Sequence, residues 1–124
     1  MPLGIIRVLT THDDTALLEH ARLLEREYSL RSITRCIEDQ PDGIRDAANE
    51  TLAVPKILNP GRKLEEQGCE ALFLSCAADP GLDALRAAVA IPVAPAGSAA
   101  GMFAVEWLGA SLDAKTAPEE AVCG

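Results

Sequence analysis

Aromatic and basic residues are both scarce in this chain of 124 residues. Its aromatic residues are one Trp, one Tyr and two Phe, whereas 21 residues are Ala. A core of small side chains suits helices packed closely on a sheet better than a sandwich of bulky strands. The 11 Lys and Arg face 19 Asp and Glu, for a formal charge of -8. We therefore expect no nucleic-acid binding through a basic face and no binding to an anionic membrane surface.

The sequence also lacks long apolar runs and several well-known motifs. Its N-terminal apolar run ends by Thr10, far short of the roughly 18 residues that a membrane span needs. No signal peptide is recognised, so the four cysteines are expected to be free thiols of a cytoplasmic protein. No Gly-x-Gly-x-x-Gly or Walker loop supports nucleotide binding, and no Cys/His spacing suits a zinc site.

The first third of the chain reads as strand, helix and strand. Residues 4–10 are mostly β-branched and predict a buried parallel strand. Residues 15–28 carry apolar side chains at intervals of three and four, which predicts an amphipathic helix capped by Asp13 or Asp14. Residues 30–37 alternate between apolar and polar, which is typical of a less buried or edge strand.

The middle of the chain combines a long helical stretch with the most apolar strand candidate. Residues 44–67 favour helix, but Pro55 and Pro60 predict two shorter helices or one strongly kinked helix. Residues 71–76 follow, and their composition predicts a central strand.

The last part continues the alternation of helix and strand. A helix is predicted over residues 82–89, a short strand over 91–94 and a final helix over 97–108. Residues 110–124 are small and polar without periodicity, so we expect a flexible tail. Residues 1–109 are therefore expected to form one α/β domain of three layers.

The alternation predicts a four-stranded parallel sheet, and we expect the flavodoxin-like strand order 2-1-3-4. Ligands of such sheets bind beyond the carboxyl ends of the strands. Cys76 lies at such an end, where the central strand gives way to Ala77 and Ala78. Backbone N–H groups of a tight turn and of a helix N-terminus would lower its thiol pKa and favour an anion. Position alone supports a small buried core residue equally well.

Five segments resemble the aspartate/glutamate/hydantoin racemase family, most of all its hydantoin racemase branch. The most specific is Cys-x-x-Asp-Pro-Gly at residues 76–81, followed downstream by Ile-Pro-Val. The five segments are residues 4–8, 35–41, 68–82, 91–93 and 97–99. The likeness covers roughly residues 4–109.

This resemblance implies a cofactor-independent 1,1-proton transfer at a carbon next to a carbonyl or carboxylate. Two cysteines on opposite faces of the substrate run it, one as thiolate base and the other as thiol acid. Cys76 matches the family's first catalytic cysteine. Backbone N–H groups after Cys76 would bind a substrate carboxylate or ring carbonyl. The expected substrate-binding residues, all at strand ends, are Thr10, Thr11, Ala77, Ala78, Asp79, Gly97 and Ser98.

Members of the family have two similar lobes, and this sequence matches one of them. Cys123, in the C-terminal tail, is more simply a stray terminal thiol than the second catalytic cysteine. A twofold homodimer could supply the second thiol by placing Cys76 of one copy opposite Cys76 of the other. A separate chain carrying the second lobe could also supply it. The alternative function is a non-catalytic binding or assembly module, retained as a truncated remnant.

The remaining candidate residues are expected to serve packing or to be exposed to solvent. His12 is expected in a solvated loop, and His20 on the polar surface of the first helix. Cys36 and Cys69 are expected to serve packing. The carboxylates expected in a solvated acidic loop are Glu38, Asp39 and Asp42.

Overall fold

The computed structural model describes residues 2–97, which form a parallel sheet with helices on both faces. The strands are β1 (Leu3–Arg7), β2 (Ser32–Cys36), β3 (Ala71–Ser75) and β4 (Val93–Pro95). The helices are α1 (Asp14–Leu17), α2 (Glu19–Tyr28), α3 (Ala47–Glu66) and α4 (Leu82–Ala88). The sheet order is β2-β1-β3-β4 and every pairing is parallel. The α/β class and the strand order are therefore confirmed.

The pleat of β1 divides the core between the two faces of the sheet. Leu3 and Ile5 pack with Leu24 of α2, and we call this side the α2 face. Ile6 packs with Ile57 of α3 on the opposite side, the α3 face. Side chains alternate in this way because successive residues of a strand point to opposite faces.

Helix α3 is a single helix, so of the two predicted alternatives the pair of shorter helices is wrong. Pro55 and Pro60 both lie inside its 20 residues. Asp46 caps the helix by accepting a hydrogen bond from the Asn49 N–H at 2.9 Å. Each proline removes one hydrogen bond of the helix, whereas buried residues of α3 from Ala53 to Leu64 pack in the core on both sides of Pro55 and Pro60. Packing therefore maintains a helix that local propensity alone would interrupt.

The predicted helix over residues 15–28 is divided into α1 and α2. The division falls at Leu18, whose backbone lies at φ −95° and ψ 6°, outside the α-helical geometry. Asp13 caps α1, as one of the two predicted alternatives, and accepts a hydrogen bond from the Thr15 N–H at 3.0 Å. Leu18 therefore both ends α1 and precedes the first residue of α2.

Two predictions fall outside the described residues, namely the helix over 97–108 and the tail over 110–124. Within residues 2–97, no helix is long and apolar enough to cross a bilayer.

Candidate functional site

The loops that follow the four strands meet at one edge of the sheet. Strands β1, β2, β3 and β4 are parallel, so their last residues, Arg7, Cys36, Ser75 and Pro95, share that edge. This is the edge at which ligands bind in open α/β sheets. The sequence-predicted site residues from Thr10 to Gly97 all follow these strand ends, whereas Ser98 lies outside the described residues.

Cys76 is the first residue after β3 and is half-buried. Its side chain packs against the core on the α3 face. The backbone N–H of Ala78 donates a hydrogen bond to the thiol, and the Asp79 N–H donates to the Cys76 carbonyl oxygen at 3.0 Å. A tight turn therefore wraps around the sulfur atom.

The electrostatic environment of Cys76 differs from the prediction, because its thiol pKa is raised. Burial is the main cause, and the negative charges of Asp79 and Glu50 act in the same direction. The Ala78 N–H lowers the pKa, but by less than these groups raise it. Helix α4 begins at Leu82, as predicted, and the backbone donor to the thiol is Ala78 of the turn that precedes it. This environment favours the neutral thiol of Cys76 over its thiolate.

Asp79 joins the loop after β3 to the loop after β4. Its Oδ1 accepts hydrogen bonds from the backbone N–H groups of Gly97 at 2.7 Å and of Ala96 at 3.1 Å. A Cβ at Gly97 would overlap the Ala77 carbonyl oxygen and the Asp79 carboxylate. Only glycine fits at this close approach. We call this arrangement of Asp79, Ala96 and Gly97 the Asp79 clasp.

Thr10 joins the loop after β1 to the loop after β2. Its hydroxyl donates to the Ile37 carbonyl oxygen and accepts from the Gln40 N–H, both at 2.7 Å. Its own N–H donates to the Gln40 carbonyl oxygen at 2.9 Å. Thr11 Oγ1 accepts from the Asp13 N–H at 3.1 Å, just before α1. Both threonines thus lie at the expected edge, with their hydroxyls engaged inside the protein.

Ala77 and Ala78 are exposed at the same edge. The Ala78 N–H is committed to Cys76, whereas the Ala77 N–H makes no hydrogen bond within residues 2–97. Of the two predicted backbone donors, Ala77 is therefore the one free to contact a ligand.

Two residues of the α2 face were missed or misplaced by sequence reasoning. His20 is only partly exposed, and its Nδ1 is hydrogen-bonded to the Ser75 hydroxyl, so its prediction as a surface residue is wrong. Burial, and then the charge of Arg7, lower the pKa of His20, while Glu19 opposes them. Arg7 itself is buried at the end of β1. The sequence signal for this burial was a charged residue at a position of the apolar strand where the alternation of side chains points into the core.

The other candidate residues are either exposed to solvent or packed within the protein. His12 is exposed, and Cys69 is buried in the core of the α3 face. Cys36 lines a groove of about 190 Å³ between β2 and α3, with Lys56 and Lys63 nearby. The carboxylates Glu38, Asp39 and Asp42 are all exposed. Residues 2–97 contain no group of His, Cys, Asp and Glu arranged to hold a metal ion.

Comparison with known proteins identifies the family. A family model described as Asp/Glu/Hydantoin racemase matches residues 3–109. The chain belongs to this family. Residues 3–109 include every strand of the sheet and the whole site edge described above. No curated protein matches the chain.

Among solved structures, the racemase-family chain is similar to "Allantoin racemase from Klebsiella pneumoniae". The TM-score is 0.63 and the sequence identity is 21%, over 90% of this chain and 43% of that chain. At this identity the likeness establishes the fold. The chain spans less than half the length of the allantoin racemase, in agreement with the expectation of a single lobe.

Proposed function

We propose that this chain is one lobe of a cofactor-independent, racemase-like isomerase that uses the Cys76 thiol to transfer a proton. The observation that carries the proposal is the position of Cys76, at the carboxyl end of a central parallel strand in a chain of the racemase family. The substrate class is an amino acid or a hydantoin-type ring, with a carboxylate or ring carbonyl next to the reacting carbon. The cytoplasm, which keeps thiols reduced, is the compartment that we propose.

The proposed reaction inverts one carbon in two proton transfers. The Cys76 thiolate takes the proton, so that a C–H bond breaks, an S–H bond forms and the electron pair moves into the adjacent carbonyl. A thiol on the opposite face then gives its proton to the same carbon, where a new C–H bond forms. One thiol has gained a proton and the other has lost one, so the pair is set for the reverse reaction.

In this proposal some strand-end residues contact the substrate, and the others shape the pocket. Ala77 offers a free backbone N–H to the substrate carboxylate or carbonyl, and we assign Ser98 a similar contact from the sequence alone. The polar groups of the other strand-end residues already bond within the protein, so these residues shape the pocket. They are Thr10, Thr11, Ala78, Asp79 and Gly97.

The second thiol of the proposal comes from a second copy of the chain. Inversion needs an acid and a base on opposite sides of the substrate. A twofold axis beyond the site edge would place one Cys76 on each side. The chain would then be a homodimer with its reaction centre between the copies. A monomeric chain at enzyme-assay concentration would contradict this part of the proposal.

Proton exchange in D2O tests the proposed function. Aspartate, glutamate, allantoin and 5-substituted hydantoins are incubated with the chain, and loss of the α-proton signal is followed by NMR beside polarimetry. Exchange with inversion is expected for at least one substrate, and Cys76→Ala should abolish it. Cys69→Ala, at a thiol buried in the core, is the matched control and should retain activity in the folded fraction. Absence of exchange on every substrate would contradict the proposal.

One observation favours a second candidate function, a non-catalytic binding module. Burial raises the pKa of Cys76, which leaves little thiolate at neutral pH. A module of this kind would bind a carboxylate or ring carbonyl at the Ala77 N–H without exchanging a proton. Binding of a substrate from the panel without any α-proton exchange is the result that supports this candidate over the isomerase.

A further inference from the structure

Arg7 is a buried cation without a partner among the residues that the structure describes. It retains 8% of its surface, and its Nε and Nη1 are buried without a hydrogen bond. Among residues 2–97, no carboxylate forms an ion pair with it. An unpaired buried charge is costly, so native proteins pair such a group with an opposite charge. Within residues 2–97, the guanidinium of Arg7 therefore has no anion to balance its buried charge.

The neighbours of Arg7 form a polar group on the α2 face. Arg7 is in register with Ser75 of β3, and the two side chains lie on the same face of the sheet. The Ser75 hydroxyl is hydrogen-bonded to His20 Nδ1, which links β3 to α2. Arg7 is close enough to His20 for its charge to lower the histidine pKa. The three residues thus form one cluster at the carboxyl ends of β1 and β3.

A groove of about 380 Å³ opens beside this cluster along α2, and His20 is part of its wall. Arg22 and Arg26 also line it, against the single carboxylate of Glu19. Arg26 contacts Glu27 at 3.1 Å, so Arg22 carries most of the remaining positive charge. With Glu19 beside Arg22, the groove is close to neutral and of small-molecule size, in a chain whose net charge is -8.

We infer that Arg7, Ser75 and His20 form a binding site for the carboxylate of a small molecule, which enters through the groove along α2. The buried guanidinium donates to the carboxylate oxygens, and Arg22 draws the anion in. One buried guanidinium beside a neutral histidine balances one negative charge. This charge favours a carboxylate over a phosphate dianion.

The site is separate from the proton-transfer chemistry proposed for Cys76. Arg7 and Ser75 lie on the α2 face, whereas Cys76 packs against the α3 face. Carboxylate binding at Arg7 therefore does not require a reactive Cys76. Cys76→Ala should leave this binding unchanged, so failure of one proposal is distinguishable from failure of the other.

NMR titration of the full chain tests the inference, because the sequence has only two histidines, His12 and His20. The probes are acetate, N-carbamoylglycine, the neutral amide of N-carbamoylglycine, and inorganic phosphate. Acetate and N-carbamoylglycine should shift the His20 ring signals saturably, while the exposed His12 serves as internal control. A response to the neutral amide equal to that of its acid, or a response to phosphate alone, would overturn the inference.

Two variants locate the site. Arg7→Gln should weaken carboxylate binding at least about tenfold, the loss expected for a hydrogen bond to a charged group. Arg31→Gln, an exposed arginine just before β2 at the other end of the sheet, should bind as the wild type does. Unchanged binding in Arg7→Gln would overturn the inference.

A measurement on the wild type avoids dependence on the folding of Arg7→Gln. A bound carboxylate offsets the positive charge of Arg7, so saturating acetate should raise the pKa of His20. Glu19, Arg22 and Arg26, which also face His20, are present in both titrations. An identical His20 titration with and without acetate would overturn the inference.

Discussion

The Asp79 carboxylate accepts a hydrogen bond from the Gly97 backbone N–H at 2.7 Å, across 18 residues of sequence. Asp79 has a positive φ of 48°, a conformation that Asp and Asn adopt more readily than most residues. The Asp79 clasp therefore fixes the turn that begins at Cys76 against the loop after β4. The turn that carries the proposed catalytic thiol is therefore held in place by one carboxylate, that of Asp79.

Two substitutions of Asp79 should distinguish the contribution of its hydrogen bonds to stability from that of its backbone conformation. Asp79→Gly keeps the positive φ accessible but removes the acceptor, and should lower the free energy of unfolding by about 1–3 kcal/mol. Asp79→Asn keeps an acceptor oxygen and should lose less. Urea unfolding of the three proteins checks the order, and equal stability of the two variants would contradict it.

Gly97→Ala should destabilise the chain because the new Cβ overlaps the Ala77 carbonyl oxygen and the Asp79 carboxylate. Overpacking of this kind costs about 1–3 kcal/mol. The double variant Asp79→Gly/Gly97→Ala should lose less than the sum of its parts, since one clashing group is gone and the hydrogen bond is lost only once. Strict additivity in urea unfolding would show that the two residues are not coupled.

Glu50→Gln should make Cys76 more reactive. Its negative charge, on the first turn of α3, raises the pKa of the Cys76 thiol, although burial has the larger effect. Removing that charge should increase the rate of iodoacetamide alkylation at pH 7 by about twofold to threefold. Mass spectrometry of the peptides reports each cysteine separately, and buried Cys69 is the control. An unchanged or slower rate at Cys76 would contradict the electrostatic account.

Stability should fall as the pH falls through the range in which free histidine titrates. The folded-state pKa of His20 lies below its ordinary value of 6.5, so the unfolded chain binds more protons than the folded chain in this range. Urea unfolding between about pH 7.5 and 5.5 should show this loss in the wild type. His20→Gln should flatten the profile and His12→Gln should not. Equal slopes in all three proteins would contradict the prediction.

Pro55→Ala should stabilise α3. Pro55 is exposed and leaves the carbonyl of Thr51 without its usual helical donor. Alanine restores that donor, and we expect a gain of about 1–3 kcal/mol in the free energy of unfolding. Pro60→Ala should gain less, because Pro60 is buried and its ring packs in the core. A larger gain at Pro60 would contradict this explanation.

The sheet could be predicted from the sequence because each strand leaves a local signal. The apolar run around Ile5 and Ile6 and the run around Leu72 and Leu74 are buried on both faces, as central strands should be. The alternating residues of β2 are only partly buried, which matches an edge strand. Local reasoning could not choose between one helix and two at the prolines of α3, because contacts distant in sequence, which outweigh two missing hydrogen bonds, decide the outcome.

The site was only partly predictable because its electrostatics depend on residues far apart in sequence. The raised pKa of Cys76 depends on packing against α3 and on Glu50, which local reasoning about the turn did not include. His20 lies four residues before Leu24 and eight before Tyr28, so it shares the side of α2 that these two buried residues occupy. This spacing was a signal for its partial burial, whereas its partner Ser75, 55 residues away, could not be predicted locally.

The fate of the transferred proton tests the central claim most directly. A single enantiomer of the substrate that exchanges fastest is incubated in D2O, and both enantiomers are analysed for deuterium during the first few per cent of conversion. The account predicts deuterium in the inverted product, little deuterium in the remaining substrate, and no product with Cys76→Ala. Inversion that persists in folded Cys76→Ala would show that another group transfers the proton and would contradict the assignment of Cys76.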